Sequence, residues 1–239
     1  TDRVRLEDQL IQNEKLTSIG LLAAGVAHEV NTPLAVISSY SQMLRKEISP
    51  EDSRNKLLEK ITKQTFRASE IVNSLLNFSR TNATEFTEVD VHQLITDTIA
   101  LLQHQLKSGR IRVEQELGAE CPITFGNAGR LQQVFLNLIV NARDAMPEGG
   151  ELRVLTDTMN SKIEILVQDT GTGISPENIK KIYDPFFTTK APGKGTGLGL
   201  SVSYGIVQEH GGTISVESKQ GVGTTFRLEL PLVRKTVNV

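Results

Sequence analysis

Two long stretches of helical periodicity, separated only by Ser49-Pro50-Glu51-Asp52, constrain this chain more than any other feature. In the first, apolar residues fall at Ile19, Leu22, Val26, Val30, Leu34, Ile37 and Leu44, which draws one stripe along a helix. In the second, the stripe is Leu57, Ile61, Thr65, Ala68, Val72, Leu75 and Phe78. A charged lead-in over residues 2–18, free of Gly and Pro and carrying Leu6, Leu10 and Leu16, extends the first helix with coiled-coil character. The acid-rich turn ends the first helix near Ile48 and opens the second, over residues 52–79. The short connection makes the pair a hairpin. A single apolar face per helix is too little for a hairpin to bury itself. Two hairpins forming a four-helix bundle solve this, so a homodimer is expected.

The first helix also carries Gly25-Val26-Ala27-His28-Glu29-Val30-Asn31-Thr32-Pro33-Leu34. At roughly 100° per residue, His28 lies about 200° from Val26 and points away from the apolar stripe. Thr32 follows one turn later on the same exposed face, and Glu29 sits beside the histidine at the stripe's edge. Pro33 removes the donor for the carbonyl of Glu29, which predicts a bend. Taken alone, His28 reads as an ordinary surface histidine.

Thr81-Asn82-Ala83-Thr84-Glu85 is polar and aperiodic, which places a domain boundary there, with domains 1–83 and 84–239. Beyond it the pattern predicts a short strand over 86–91, a helix over 92–107, a strand over 110–117 and a strong helix over 128–145. Strands over 151–157 and 162–168 follow, then a long loop over 184–199, a helix over 198–210 and a hairpin of 213–218 with 224–230. Helices and strands mixed without strict βαβ alternation indicate an α+β two-layer sandwich. The chain as a whole is therefore multidomain, an all-α hairpin followed by this sandwich.

Composition narrows the function. A net charge of −2 without a basic tract gives no reason to expect nucleic acid. The single cysteine, Cys121, excludes an intrachain disulfide framework and any cysteine-rich metal site. No stretch approaches the roughly 18 apolar residues of a membrane span and no secretory signal opens the chain, so no membrane contact within this stretch and a cytoplasmic location are expected, the cytoplasmic part of a membrane-bound sensor included. The chain begins in mid-pattern without a start methionine, as a piece of a longer protein does.

Three further elements carry chemistry. Asn137, Asn141 and Asp144 share one face of the 128–145 helix, while Val134, Leu138 and Ile139 supply the apolar one. Two amides and a carboxylate in a row offer oxygen ligands to a hard cation, although a polar helix face is ordinarily just solvated. Asp169-Thr170-Gly171-Thr172-Gly173-Ile174 follows an apparent strand; its glycines permit a tight turn, and its carboxylate can accept from an exocyclic amine. Gly195-Thr196-Gly197-Leu198-Gly199-Leu200 opens a helix with backbone donors suited to phosphate oxygens, and Lys190 and Lys194 add charge to the same loop. No strand of a βαβ unit precedes these glycines, and no Gly-Lys-Ser/Thr is present, which excludes a dinucleotide fingerprint and a P-loop.

Their order and spacing resemble one family. Residues 131–146, 169–174, 184–190 and 195–200 are similar to the N, G1, F and G2 boxes of sensor histidine kinases, and His28 to Leu34 resembles the H box. The usual second residue of the G1 box is Asn, where this chain has Thr170. The resemblance implies a dimerisation and histidine-phosphotransfer hairpin over 1–83 and a Bergerat-fold catalytic domain over 84–239 that binds ATP and Mg²⁺. It implies ATP-dependent autophosphorylation on His28, helped by Glu29, and transfer to an aspartate in the receiver domain of a response regulator. Thr32 is implied in phosphatase activity toward that regulator. Asp169, Gly171, Gly173 and Ile174 are expected around adenine, with Asn141 on Mg²⁺ and Asn137 and Asp144 nearby. Lys190, Gly195, Thr196, Gly197, Leu198 and Gly199 are expected in the ATP lid. Two other classes compete: a gyrase-type ATPase without phosphotransfer, and a scaffold that only dimerises. The His28 segment argues against the first, and Asn141, Asp169 and the glycines of 195–199 against the second.

Overall fold

A computed structural model describes residues 30, 32–49, 52–79, 85–118, 122–191 and 195–233, with the backbone alone for residues 66, 67 and 69–79. His28, Glu29, Lys194 and Cys121, as well as the lead-in helix, lie outside the described residues. The chain divides into two compact units, Thr1–Ala83 and Thr84–Val239.

In the first unit, α1 covers residues 32–47 and α2 covers Arg54–Ser79. The turn between them is built as its sequence suggests. Asp52 accepts from the backbone N–H of Arg54 at 2.8 Å and pairs with its guanidinium at 2.6 Å, and Asn55 Nδ2 donates to the Ser49 carbonyl at 2.6 Å. Those Arg54 hydrogen bonds hold the Asp52 carboxyl down at about 2. Ser41 and Thr65 are buried, and the Thr65 hydroxyl is satisfied by the Thr62 carbonyl at 2.8 Å. Ile37, Leu44, Leu57 and Ile61, all members of the predicted stripes, remain exposed, together with Val36, Tyr40 and Met43. Among the described residues, the hairpin leaves an apolar face uncovered.

The second unit is a five-stranded sheet with helices on one face. Its strands are β2 (Ile111–Leu117), β4 (Gly150–Met159), β5 (Lys162–Asp169), β7 (Gly223–Pro231) and β6 (Thr213–Lys219), in the spatial order β2-β4-β5-β7-β6. Only β2 and β4 run parallel. The inner face is a ladder of facing apolar residues: Val154 opposite Val167, Val167 opposite Phe226, Ile165 opposite Leu228 and Ile163 opposite Leu230. Alternate residues point to solvent and form ion pairs, Arg227 with Glu164 at 2.5 Å and Lys162 with Glu229 at 2.6 Å. One buried face and one charged face explain why the fold stops at two layers.

The covering layer is α3 (Val91–Ser108), α4 (Ala128–Ala145) and α6 (Gly199–Glu209), with α4 in contact with both neighbours. Asp90 caps α3 by accepting from Gln93 N at 3.1 Å, and Asn127 caps α4 by accepting from Arg130 N at 3.0 Å. Two elements differ from expectation. β3 (Ile123–Gly126) pairs antiparallel with β1 (Thr87–Asp90) in a separate two-stranded sheet, and α5 (Pro176–Ile179) interrupts the stretch before the long loop. Both are four residues long, too short to show a period. Arg110 stands outside β2 in a left-handed conformation, with φ 55°.

His210 ties the small sheet to this layer. It is buried, its ring stacks on Phe86 at 4.8 Å, its Nε2 accepts from Asn127 N at 2.9 Å, and its Nδ1 donates to the Ile206 carbonyl at 2.7 Å. Burial holds the imidazole below its ordinary value, against the pull of the Ile206 carbonyl and Glu209. The unfolded chain therefore takes up the proton first. This contribution to stability is complete above about pH 6.5 and declines as pH falls below it. The thermal midpoint should drop from pH 7.5 to pH 5.5, and His210→Gln, which keeps an acceptor, should lose most of that slope. An unchanged slope would shift the effect to His92, which burial depresses in the same direction.

Candidate functional site

The site follows from the two-sidedness of α4. Leu131, Val134, Leu138 and Ile139 are buried, so Asn137, Asn141 and Asp144 on the opposite side face a cavity of about 600 Å³. That volume falls within the roughly 300–1,000 Å³ of small-molecule sites. The other walls are the turn after β5, residues 187–190, and residues 195–197, 199 and 200 leading into α6.

The turn after β5 is clamped from two sides. Asp169 accepts from Gly171 N at 2.8 Å, and Thr172 N donates to the Ala145 carbonyl at 2.9 Å, which fastens the turn to the end of α4. Gly221 N donates to the Thr172 carbonyl at 2.8 Å, and Ile174 N to Ser218 Oγ at 2.8 Å, which seats it on the β6–β7 hairpin. Gly173 has φ 67°, and a Cβ there would collide with the Lys219 carbonyl. Burial raises the Asp169 carboxyl above its ordinary value, and N–H bonds from Gly171 and Thr224 offset part of this. Thr170, the departure noted above, donates to Met146 Sδ and accepts from Glu151 N at 2.9 Å, so its hydroxyl closes the base of the turn.

The fourth wall is a loop folded back on itself. Gly197 has φ 69° and lies against the backbone of Phe186, where no Cβ fits; Phe186 is itself left-handed, with φ 67°, and exposed. Lys190 Nζ crosses the cavity mouth to Asn141 Oδ1 at 3.1 Å and Asp144 Oδ2 at 2.6 Å. Burial tends to raise the Asp144 carboxyl, but hydrogen bonds from Lys190 and Arg143 outweigh it and hold the group below its ordinary value. Asn137 works differently. Its Nδ2 donates to the Gly199 carbonyl at 3.0 Å and to Ser203 Oγ at 3.2 Å, joining α4 to the first turn of α6.

Most of the predicted residues meet here. Asn137, Asn141, Asp144, Asp169, Gly173, Ile174, Lys190, Gly195, Thr196, Gly197 and Gly199 all line the one cavity. Gly171 and Leu198 do not: Gly171 is buried beneath the turn, and the Leu198 side chain enters the core at the start of α6. Thr32 stands exposed on α1, in the other unit. Asn178, Ile182, Thr224 and Phe226 also line the cavity, and sequence reasoning missed them. Thr224 and Phe226 follow the inward alternation of β7, and nothing in that alternation distinguishes a cavity wall from the core.

Residues 126–234 match the family described as histidine kinase-, DNA gyrase B- and HSP90-like ATPases, and residues 18–84, which include His28, match the His Kinase A phospho-acceptor domain. The catalytic domain of histidine kinase ThkA is 34% identical, with a TM-score of 0.57, over 62% of this chain and 97% of its own. The chain belongs to the histidine kinase family. A structure of ThkA in complex with response regulator protein TrrA is 29% identical, with a TM-score of 0.68, over 98% of this chain and 67% of its own. Sporulation kinase E of Bacillus subtilis (strain 168) is 34% identical over 97% of this chain and 31% of its own length. The chain thus spans between about a quarter and a half of the curated relatives it matches. As in other histidine kinases, the ATPase-like domain implies use of ATP. Among the described residues, no helix of this kinase is long and apolar enough to cross a membrane.

Gly173→Ala should be costly despite its small size, because φ and space both forbid a methyl group. Affinity for a non-hydrolysable ATP analogue should fall on the order of tenfold or more. Calorimetry returning the parent's affinity would show that the turn does not shape the nucleotide site.

Proposed function

We propose that this chain phosphorylates itself on His28 with ATP and passes the phosphoryl group to an aspartate of a response regulator. The observation that carries the reading is a phospho-acceptor match around His28 in the same chain as a formed cavity within the ATPase-like match. Residues 1–83 act as the dimerisation and phosphotransfer domain, and residues 84–239 as the ATP-binding domain.

The neutral imidazole of His28 attacks the γ-phosphorus. A P–N bond forms as the bond to the β,γ-bridging oxygen breaks, and ADP departs. Glu29 orients the ring and accepts its proton. In the second step the P–N bond breaks as a carboxylate oxygen of the regulator's aspartate takes the phosphoryl group. Asp169 receives the exocyclic amine of adenine, with Gly171, Gly173 and Ile174 framing the ring. Asn137, Gly195, Thr196, Gly197, Leu198 and Gly199 shape the phosphate side, the glycines and Leu198 through their backbone. The amide oxygen of Asn141 and the carboxylate of Asp144 already converge on one cation, the Lys190 ammonium, and so fit the oxygen preference of Mg²⁺. Bound there through Asn141, Mg²⁺ would neutralise charge on the phosphate oxygens.

The exposed stripe of Ile37, Leu44, Leu57 and Ile61 supports a homodimer closed by a second hairpin. Light scattering that gave a monomer at micromolar concentration would remove this part. The complex of ThkA with its regulator supports a receiver domain as the partner.

With γ-labelled ATP, His28→Gln should remain unlabelled while binding nucleotide as the parent does, and Asn141→Ala should lose Mg²⁺-dependent binding. A His28→Gln protein that still carried acid-labile, base-stable label would sink the assignment.

Thr32, exposed on α1 one turn beyond His28 in sequence, positions water for hydrolysis of the regulator's phosphoaspartate. The competing role for its hydroxyl is a local bond back to the carbonyl of His28. Thr32→Ala should spare labelling of His28 and slow regulator dephosphorylation by about tenfold. Equal dephosphorylation rates for variant and parent would return Thr32 to the local role.

A further inference from the structure

Lys190 holds the position where a cation belongs. Its ammonium meets Asn141 Oδ1 at 3.1 Å and Asp144 Oδ2 at 2.6 Å, the amide and carboxylate oxygens that would also receive a divalent ion. The carboxylate it grips is preset. The other Asp144 oxygen accepts from Arg143 Nη2 at 2.6 Å and Nε at 2.9 Å, and Arg143 Nη1 donates to Gln105 on α3.

Lys190 also ends the segment 187–190 that forms one wall of the cavity, so its contact fastens that wall to α4. The side chains of the pair are 31% and 26% exposed, which leaves the contact partly screened and therefore exchangeable. An ammonium and a divalent ion that draw on the same two oxygens compete for them, and repulsion between the two cations sharpens the competition.

We propose that Lys190 is a resident stand-in for the divalent cation: in the nucleotide-free protein it satisfies Asn141 and Asp144 and fastens the lid, and Mg²⁺ entering with nucleotide must displace it. Asp144 is the positioning residue that sets this exchange. The inference rests on the nucleotide reading of the cavity. It deepens that reading by making the metal requirement a competition between a lid side chain and an ion.

The test uses the full chain and ADP, so that no phosphoryl transfer takes place during the titration. Calorimetry at fixed ADP gives the Mg²⁺ concentration at half-saturation. Lys190→Met should lower it by about threefold or more. Amide exchange over residues 187–191 of the nucleotide-free protein should quicken by about fivefold in Lys190→Met and in Asp144→Asn, with no further gain in the double variant. An unchanged or higher Mg²⁺ requirement in Lys190→Met, or additive exchange effects, overturns the proposal while leaving the nucleotide reading in place. A parent chain that binds no ADP at any Mg²⁺ concentration overturns the nucleotide reading and this proposal with it.

Discussion

Burial of one side of α4 is the constraint on which the catalytic unit depends. Leu131, Val134, Phe135, Leu138 and Ile139 are each at most 1% exposed, and a helix anchored that firmly cannot rotate. Truncating a residue such as Phe135 to Ala would cost about 3–5 kcal/mol. Because the helix cannot turn, the other side is fixed too, and Asn141 and Asp144 are aimed by apolar packing, while Asn137 adds its own bonds to Gly199 and Ser203. Apolar residues thus position the polar ones, and the periodicity that builds the core also builds the site.

That coupling explains why so much is legible in the sequence. Steps of four and three residues put Asn137, Asn141 and Asp144 on one face of any helix, and Ala128–Ala145 is the helix observed. Within the glycine pattern of 171–173 and 195–199, Gly171, Gly173 and Gly197 lie where backbone approaches backbone, and Gly173 and Gly197 are left-handed. What stays hidden depends on contacts distant in sequence. The strand Ile123–Gly126 exists because β1 pairs with it, and the buried His210 bonds to a backbone N–H 83 residues away. Leu198 shows the opposite limit: it lies within the glycine-rich motif, but its apolar side chain belongs to the core.

The two units manage apolar surface in different ways. The sheet of the second unit buries its inner face under its own helices and solvates the other with ion pairs. Among the described residues the hairpin has no such cover, and Leu57 is 59% exposed.

The two helices that border the cavity are joined at two separate points. Near the middle of α4, Asn137 holds the Gly199 carbonyl and Ser203 at the start of α6. At the far end of α6, His210 receives the N–H of Asn127, the residue that caps α4. Two struts set apart along a pair of rods make a braced frame, and a braced frame resists shear and hinge opening. Adjustment of the cavity is therefore confined to the walls that lie outside this frame, residues 187–190 among them.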